Sequence, residues 1–195
     1  MISPGWDIAP FARRTPISPG VRGTVETLGL MSDLVGASLL DPLYPLFVRR
    51  KVLAETGVDP RDIPAVFARA YDYWKANVGY QRDPLVLGSE SVTDYVQSPH
   101  WSLFVEGYGD CLAHAGGMAS FAVSLGHGYG YRTLRADESD PSRFSHVYAI
   151  LGYKDAAGRD VWLPADTTLP HGSLGDELPN VERYSPHDFI VVPTT

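Results

Sequence analysis

The hydrophobic pattern changes once from helical to strand-like, and this change restricts the fold more than any other feature of the chain. Between residues 21 and 78, apolar residues recur at spacings of three and four, the period of a helix that buries one face. From Tyr129 onward, short apolar runs alternate with polar residues and are separated by turns such as 155–158. Helices followed by consecutive short strands predict an α+β domain with an antiparallel sheet.

Breaks in the helical pattern divide residues 21–78 into three helices that form an N-terminal helical lobe. The first is predicted to end near 41–42 and the second near Gly57, while the third opens at 59–60, where a proline suits the first turn. Residues 79–109 are rich in glycine and in turn-forming pairs, so we predict a long loop. A long loop inside a compact domain is usually functional.

A helix of small residues is predicted to begin at Cys111, capped by Asp110, and to run to about residue 125. Gly116 and Gly117 lie in its middle, where each costs about 1 kcal/mol relative to alanine, so another element is expected to pack closely there. The predicted strands are 129–135, 144–151, 161–165 and 189–192. This helix, packed on the antiparallel sheet, completes the predicted domain.

Length and charge limit the domain organisation and the partners. The 195 residues, 44% hydrophobic and 20% charged, suit one domain over 21–195, with the helical lobe 21–78 and a core 79–195. The net charge of −7 argues against a nucleic-acid partner, which would need a basic face. We expect a soluble protein with no membrane span, because no apolar run approaches the roughly 20 residues of a bilayer span. We also expect no signal peptide, because the first residues lack a basic start followed by an apolar stretch.

Residues 1–20 are predicted to form an extended arm because they contain four prolines. The arm also carries apolar side chains, including Trp6 and Phe11. We therefore expect it to become ordered by contact with a neighbouring subunit or with the body of its own domain. A disordered tail is the simpler alternative.

Three residues form a pattern that carries chemistry: Cys111, His146 and Asp166. The cysteine opens the small-residue helix, whose N-terminus favours a thiolate. In an active triad this terminus and pairing with the histidine are expected to hold the cysteine pKa below the free value of about 8.5. His146 lies in an alternating strand, and Asp166 ends the next strand. Neighbouring antiparallel strands can bring a histidine and an aspartate side by side, as a base and the carboxylate that orients it.

Each of these residues has a plainer interpretation when it is taken alone. Cys111, the single cysteine of the chain, would be a core thiol, His146 a half-buried strand residue and Asp166 a turn residue. One cysteine also excludes an internal disulfide and a cysteine-rich metal site. The order of cysteine, histidine and aspartate on helix, strand and strand is much more specific than any pair, and it favours the catalytic interpretation.

The same segments resemble a known family. The motifs are Gly109-Asp110-Cys111, Ser145-His146-Val147-Tyr148 and Trp162-Leu163-Pro164-Ala165-Asp166-Thr167-Thr168. They are similar to the core of transglutaminase-like cysteine peptidases, and the segments 78–84 and 94–99 look like those of bacteriophage and prophage members. The resemblance covers roughly residues 22–175.

The resemblance implies a papain-like fold, a Cys-His-Asp triad and acyl transfer through a thioester, without a cofactor or a metal. The substrate would be a protein or peptide, in the bacterial cytoplasm or a phage virion. Hydrolysis of an amide bond is the leading hypothesis. The alternatives are a virion-associated structural protein with little activity, whose arm docks on neighbouring virion proteins, and a cross-linking transglutaminase. Phage relatives commonly place acidic residues after the cysteine, whereas this chain has Leu112-Ala113-His114, which favours the structural alternative.

Two further features bear on the site. The loop before the cysteine contains Gln97 and Trp101, either of which offers a side-chain N–H as the second donor of an oxyanion hole beside the Cys111 amide; Gln97 is preferred. His114, one helical turn after the cysteine, would in principle join His146 and Asp166 in a zinc site, an alternative that we rank well below the triad.

Overall fold

The computed structural model describes residues 12–16, 18, 20–82, 93–139 and 144–191. Its elements are β1 (Ala12–Pro16), α1 (Val21–Leu40), α2 (Leu43–Arg49), α3 (Ile63–Asn77), β2 (Gly79–Tyr80), β3 (Thr93–Gln97), α4 (Pro99–Trp101), β4 (Tyr108–Gly109), α5 (Cys111–Ser124), β5 (Gly128–Leu134), β6 (His146–Lys154), β7 (Asp160–Ala165) and β8 (His187–Val191). Wider π-helical turns, Arg50–Ala54 and Ser102–Glu106, continue α2 and α4, and Val181–Tyr184 is one turn of 3-10 helix. The α+β class is confirmed, and the four predicted strands are found within three residues of their predicted ends.

The main sheet has the strand order β7-β6-β5-β8, and every neighbouring pair is antiparallel. Alternation along the central strand β6 sends its side chains into two buried clusters. Val147, Ala149 and Leu151 join the large core that includes α5. Tyr148 and Ile150 pack in a smaller cluster on the opposite face. Because both faces are covered, β6 is buried along most of its length and its two ends are the natural sites for polar chemistry.

Helix α5 lies between the sheet and the helical lobe, and its small side chains explain how it fits. A Cβ atom on Gly117 would lie 2.1 Å from the indole ring of Trp74 on α3, so glycine is what lets this ring pack against the helix. Farther along, the Tyr44 hydroxyl lies 2.7 Å from the Ser120 hydroxyl. The close packing expected at both mid-helix glycines is therefore found at Gly117 but not at Gly116, where a Cβ atom would meet no atom within 4 Å.

The helical lobe follows the predicted order with one displaced boundary. The break after α1 and the end of the second helix before Gly57 agree with the pattern. The third helix begins at Ile63, so the predicted opening at 59–60 was wrong. Asp62 explains the difference, because its carboxylate accepts the Ala65 N–H at 3.2 Å and caps the helix there.

Residues 79–109 contain short elements, so the prediction of one long loop was also wrong. β2 and β4 form a parallel pair of two residues each, which is too short for an alternating pattern to be seen in the sequence. β3 pairs antiparallel with β1, with Ala12 opposite Gln97. The segment 12–16 of the predicted arm is therefore a strand on the body of its own domain, while residues 1–11, 17 and 19 lie outside the described residues.

A search of the described helices for a bilayer-spanning segment found no helix with both the length and the apolar composition that it would need.

Candidate active site

Cys111 is the first residue of α5, which confirms its predicted place at a helix N-terminus. The carboxylate of Asp110 accepts the backbone N–H groups of Leu112 at 3.0 Å and Ala113 at 3.1 Å. These bonds satisfy donors that a helix leaves unpaired in its first turn. Asp110 therefore determines where the helix starts and brings a negative charge close to the thiol.

The Cys111 sulfur lies against the start of β6. The backbone N–H of Val147, the residue that follows His146, is near enough to this sulfur to favour its thiolate. Val147 precedes Ala149, where the pairing of β6 with β7 begins. The sulfur thus lies close to the backbone next to His146.

The electrostatic environment of the thiol differs from the expectation. Burial raises the pKa of Cys111 well above its ordinary value, and the nearby carboxylates of Asp110 and Asp166 raise it further. The N–H groups of Val147 and of Cys111 itself act in the opposite direction but do not outweigh the burial. The expectation of a lowered cysteine pKa was wrong for this structure, because it counted the helix terminus and pairing with the histidine and omitted the burial and the neighbouring negative charges.

His146 and Asp166 form a direct hydrogen bond. The Nε2 atom of His146 donates to Oδ2 of Asp166 at 2.8 Å, and the two side chains are 13% and 0% exposed. Since a carboxylate accepts, Nε2 carries a hydrogen, and Nδ1 is left as the nitrogen that can take up a proton. The structure therefore brings together the predicted base and its predicted orienting acid.

The Asp166 carboxylate is held on its other oxygen as well. Oδ1 accepts the backbone N–H of Thr168 at 3.1 Å and the Thr168 hydroxyl at 2.6 Å. Burial by itself raises the pKa of Asp166, but the bonds to His146 and Thr168 and the charge of His146 outweigh it and hold the pKa below the usual range. The acid is thus kept ionised in a buried place.

The two oxyanion candidates differ in how their donors are used. Gln97 is 6% exposed, and its Oε1 accepts the Ser102 hydroxyl at 3.0 Å. The same oxygen lies 2.9 Å from where a Cβ atom on Gly109 would be, so the amide packs against the backbone just before the cysteine. The indole N–H of Trp101 donates to Glu106 Oε1 at 3.1 Å within the neighbouring helical turns.

His114 lies on α5 and is buried. Its Nδ1 is 2.8 Å from the Thr167 hydroxyl, and its Nε2 is 3.4 Å from the Gly79 carbonyl oxygen. Burial lowers the pKa of His114 to about 4, so its ring is neutral at pH 7. Within the described ranges, no three His, Cys, Asp or Glu side chains are placed to hold a metal ion. The zinc alternative built on His114, His146 and Asp166 therefore finds no support.

Helix α3 holds the turn that carries Asp166, and the sequence patterns did not identify these contacts. The Tyr71 hydroxyl donates to the Asp166 carbonyl oxygen at 2.9 Å. One turn later, the Lys75 ammonium donates to the carbonyl oxygens of Leu169 at 2.6 Å and Gly172 at 2.8 Å. Tyr71 lies on the buried face of its helix, and nothing local in the sequence distinguishes its hydroxyl from that of any other core tyrosine.

Comparisons with family models and with curated protein sequences found no match for this chain.

Proposed function

We propose that this protein is a cysteine-nucleophile acyl-transfer enzyme with a papain-like, transglutaminase-like core, and that it hydrolyses an amide bond in a protein or peptide. The observation that carries the proposal is the hydrogen bond from His146 to Asp166. The Asp166 carboxylate is buried, accepts hydrogen bonds on both oxygens, and orients the His146 ring. His146 directly precedes Val147, whose N–H lies near the Cys111 sulfur. The motif resemblance supports the same assignment.

The residues would act in a fixed order. His146 Nδ1 takes the Cys111 thiol proton while the sulfur attacks the substrate carbonyl carbon, whose π electrons move to oxygen. The tetrahedral intermediate collapses as the C–N bond breaks, and His146 gives its proton to the leaving amine, which leaves a thioester on Cys111. His146 then takes a proton from water as the water oxygen attacks the thioester. The C–S bond breaks, and His146 returns the proton to sulfur.

The raised pKa of Cys111 makes His146 a general base rather than the partner of a preformed ion pair. The thiol proton is retained in the free protein because burial and the Asp110 and Asp166 carboxylates disfavour the thiolate. Its transfer to Nδ1 is therefore coupled to attack on the substrate, and the Asp166 carboxylate stabilises the imidazolium that forms. In this mechanism the rate depends on His146 at every step.

Gln97 is the better candidate for the side-chain donor of the oxyanion hole. The Gln97 side chain packs beside the backbone just before Cys111, and with Oε1 held by Ser102 its amide nitrogen would serve as the donor that complements the Cys111 N–H. The Trp101 indole N–H is already used by Glu106. We therefore assign the role to Gln97.

A structural protein with little turnover is the second candidate function. The raised pKa of Cys111 and the pair Leu112-Ala113 in place of acidic residues favour it. In that case the protein would be associated with a phage virion and would retain the fold for assembly. A cross-linking enzyme would use the proposed chemistry, with a primary amine in place of water as the acyl acceptor.

Acylation by p-nitrophenyl acetate tests the proposal, because Cys111 is the single cysteine and whole-protein mass reports its acetylation. The wild-type protein should release p-nitrophenolate and gain one acetyl group that water then removes. Cys111→Ala should gain none at this position, and His146→Ala should react about 10²-fold more slowly. Equal rates for wild type and His146→Ala would show that His146 is not the base and would favour the structural candidate.

A further inference from the structure

We propose that His114 is a positioning residue, which sets the placement of the nucleophile relative to its acid by tying α5 to the turn that carries Asp166. This inference rests on the proposed function. His114 and Cys111 lie one turn apart on the same rigid helix, and the partner of His114, Thr167, directly follows Asp166 in the chain. One side-chain contact therefore connects the two backbone segments whose relative position the reaction requires.

The two ring nitrogens of His114 have different roles. A backbone carbonyl can only accept, so the 3.4 Å contact with Gly79 places the hydrogen on Nε2. Nδ1 is then the acceptor, and the Thr167 hydroxyl donates to it at 2.8 Å. The neutral ring thus bridges β2 on one side and the Asp166 turn on the other. A protonated ring would lose the acceptor that Thr167 needs.

The ring is fixed by its surroundings as well as by its hydrogen bonds. His114 is 2% exposed, and the rings of Trp74 and Tyr80 lie with their centres 6.3 Å and 5.9 Å from its own. The buried His114 ring therefore holds α5 and the turn that carries Asp166 at a fixed distance, because moving the ring would require repacking of its neighbours.

Helix α3 also holds the turn that carries Asp166, but it attaches this turn to the helical lobe and not to α5. Tyr71 and Lys75 bond the carbonyl oxygens of Asp166, Leu169 and Gly172, and so hold the turn to the helical lobe. His114 holds it to the helix of the nucleophile. Loss of the His114–Thr167 bond should therefore leave the turn attached while the placement of Asp166 and His146 against Cys111 loosens. A displacement of about 1 Å is enough to lower a reaction rate by about 10²-fold.

The test compares two substitutions that each remove one hydroxyl from a buried hydrogen bond to a side chain of α5. Thr167→Val removes the donor to His114, whereas Tyr44→Phe removes the partner of Ser120 on the far half of the helix. The measurements are the pH profile of Cys111 acylation by p-nitrophenyl acetate and the free energy of unfolding in urea. We expect Thr167→Val to lower the acylation rate about tenfold and to move the pH profile toward that of His146→Ala. Tyr44→Phe should retain the wild-type profile at a similar loss of stability.

Two conservative variants keep the test decisive. Thr167→Ser retains the hydroxyl and should recover the rate to within about twofold of wild type, and His114→Asn retains a neutral polar group and should be slower than Thr167→Ser. If His146→Ala slows acylation but Thr167→Val and Thr167→Ser behave alike, the positioning role is wrong and the proposed function stands. If His146→Ala matches wild type, the proposed function itself fails.

Discussion

The two halves of α5 do different work. In the C-terminal half, Gly117 and Ser120 are small and lie against Trp74 and Tyr44 of the helical lobe, so this half contributes close packing. In the first turns, Asp110 caps the helix, Cys111 meets the start of β6, and His114 bonds the turn after β7. One half joins the helical lobe to the core, and the other gathers polar groups from separate strands.

This difference indicates that residues near the N-terminus of α5 control the reactivity of Cys111, while residues in its C-terminal half contribute to the stability of the fold. Packing of small residues contributes to the free energy of unfolding but does not involve the thiol. The polar contacts at the N-terminal end concern Cys111 and its partners, and a fold with two covered sheet faces has other sources of stability. Substitutions near the N-terminal end should therefore change the acylation rate whatever they do to stability, whereas substitutions in the C-terminal half should change stability alone, and the following experiments test this separation.

Asp166→Asn should have the largest effect, and it should appear in the rate. The asparagine amide is neutral, so it cannot stabilise the positive charge of the His146 imidazolium as the carboxylate does. It also orients the His146 ring less well, because only one of its two polar atoms accepts a hydrogen bond. We expect acylation of Cys111 to fall about 10³-fold, which corresponds to about 4 kcal/mol in the barrier. Asp160→Asn, at the other end of β7, removes an exposed carboxylate paired with Lys154; it is the control and should react like wild type. A loss below tenfold for Asp166→Asn would show that Asp166 does not act through His146.

His114 should make stability depend on pH. Burial lowers its folded pKa to about 4, below the ordinary histidine value of 6.5, so the unfolded chain binds the proton first as pH falls. This contribution is fully present above pH 6.5 and is lost between pH 6.5 and 4, by about 3 kcal/mol in total. Urea unfolding at steps from pH 7 to 4.5 measures it.

His114→Asn should lack this loss, whereas His171→Asn, at an exposed loop position, should retain it. His100 and His127 also have pKa values lowered by burial, so the difference between wild type and His114→Asn, rather than the total slope, isolates His114. Parallel slopes for wild type and His114→Asn would contradict the assignment.

Gly117→Ala should reduce stability without changing the chemistry. The new Cβ atom would lie 2.1 Å from the Trp74 ring, an overlap that forces the ring or the helix to move at a cost of about 3 kcal/mol. Alanine recovers about 1 kcal/mol through its higher helix propensity, so we expect a net loss of about 2 kcal/mol. Gly116→Ala is the matched control, because a Cβ atom there meets no atom within 4 Å, and it should be neutral or stabilising. Equal unfolding free energies for the two variants would show that α3 does not pack as closely as described.

The local features of the fold and site could be predicted from the sequence. The start of α5 at Cys111 follows from Asp110, and alternation locates His146 on a strand. The bond between His146 and Asp166 was expected because the two residues were assigned to adjacent strands. Asp166 in fact directly follows β7, and the pairing of β6 with β7 brings it to His146. Each of these predictions depends on a few neighbouring residues or on one strand pair.

The contacts that depend on packing between distant elements could not be predicted. The bonds from Tyr71 to Asp166 and from His114 to Thr167 join residues 95 and 53 positions apart, and no periodic pattern relates them. The prediction of the Cys111 pKa failed for the same reason. The helix terminus is visible in the sequence, but the burial that outweighs its effect on the pKa arises from tertiary packing.

Tyr44→Phe should have the smallest effect and gives the most direct test of the separation. The Ser120 hydroxyl has one hydrogen, which it donates to the Gly117 carbonyl at 2.7 Å, so the Tyr44 hydroxyl is the donor in its contact with Ser120. Removing it leaves Ser120 bonded, and we expect a loss of about 1 kcal/mol in the free energy of unfolding. Ser120→Ala should lose more, because it leaves the buried Tyr44 hydroxyl without that acceptor. Both variants should acylate Cys111 within about twofold of the wild-type rate. A larger change for either one would mean that the packing half of α5 controls the thiol, and the two halves would then have to be treated as one unit.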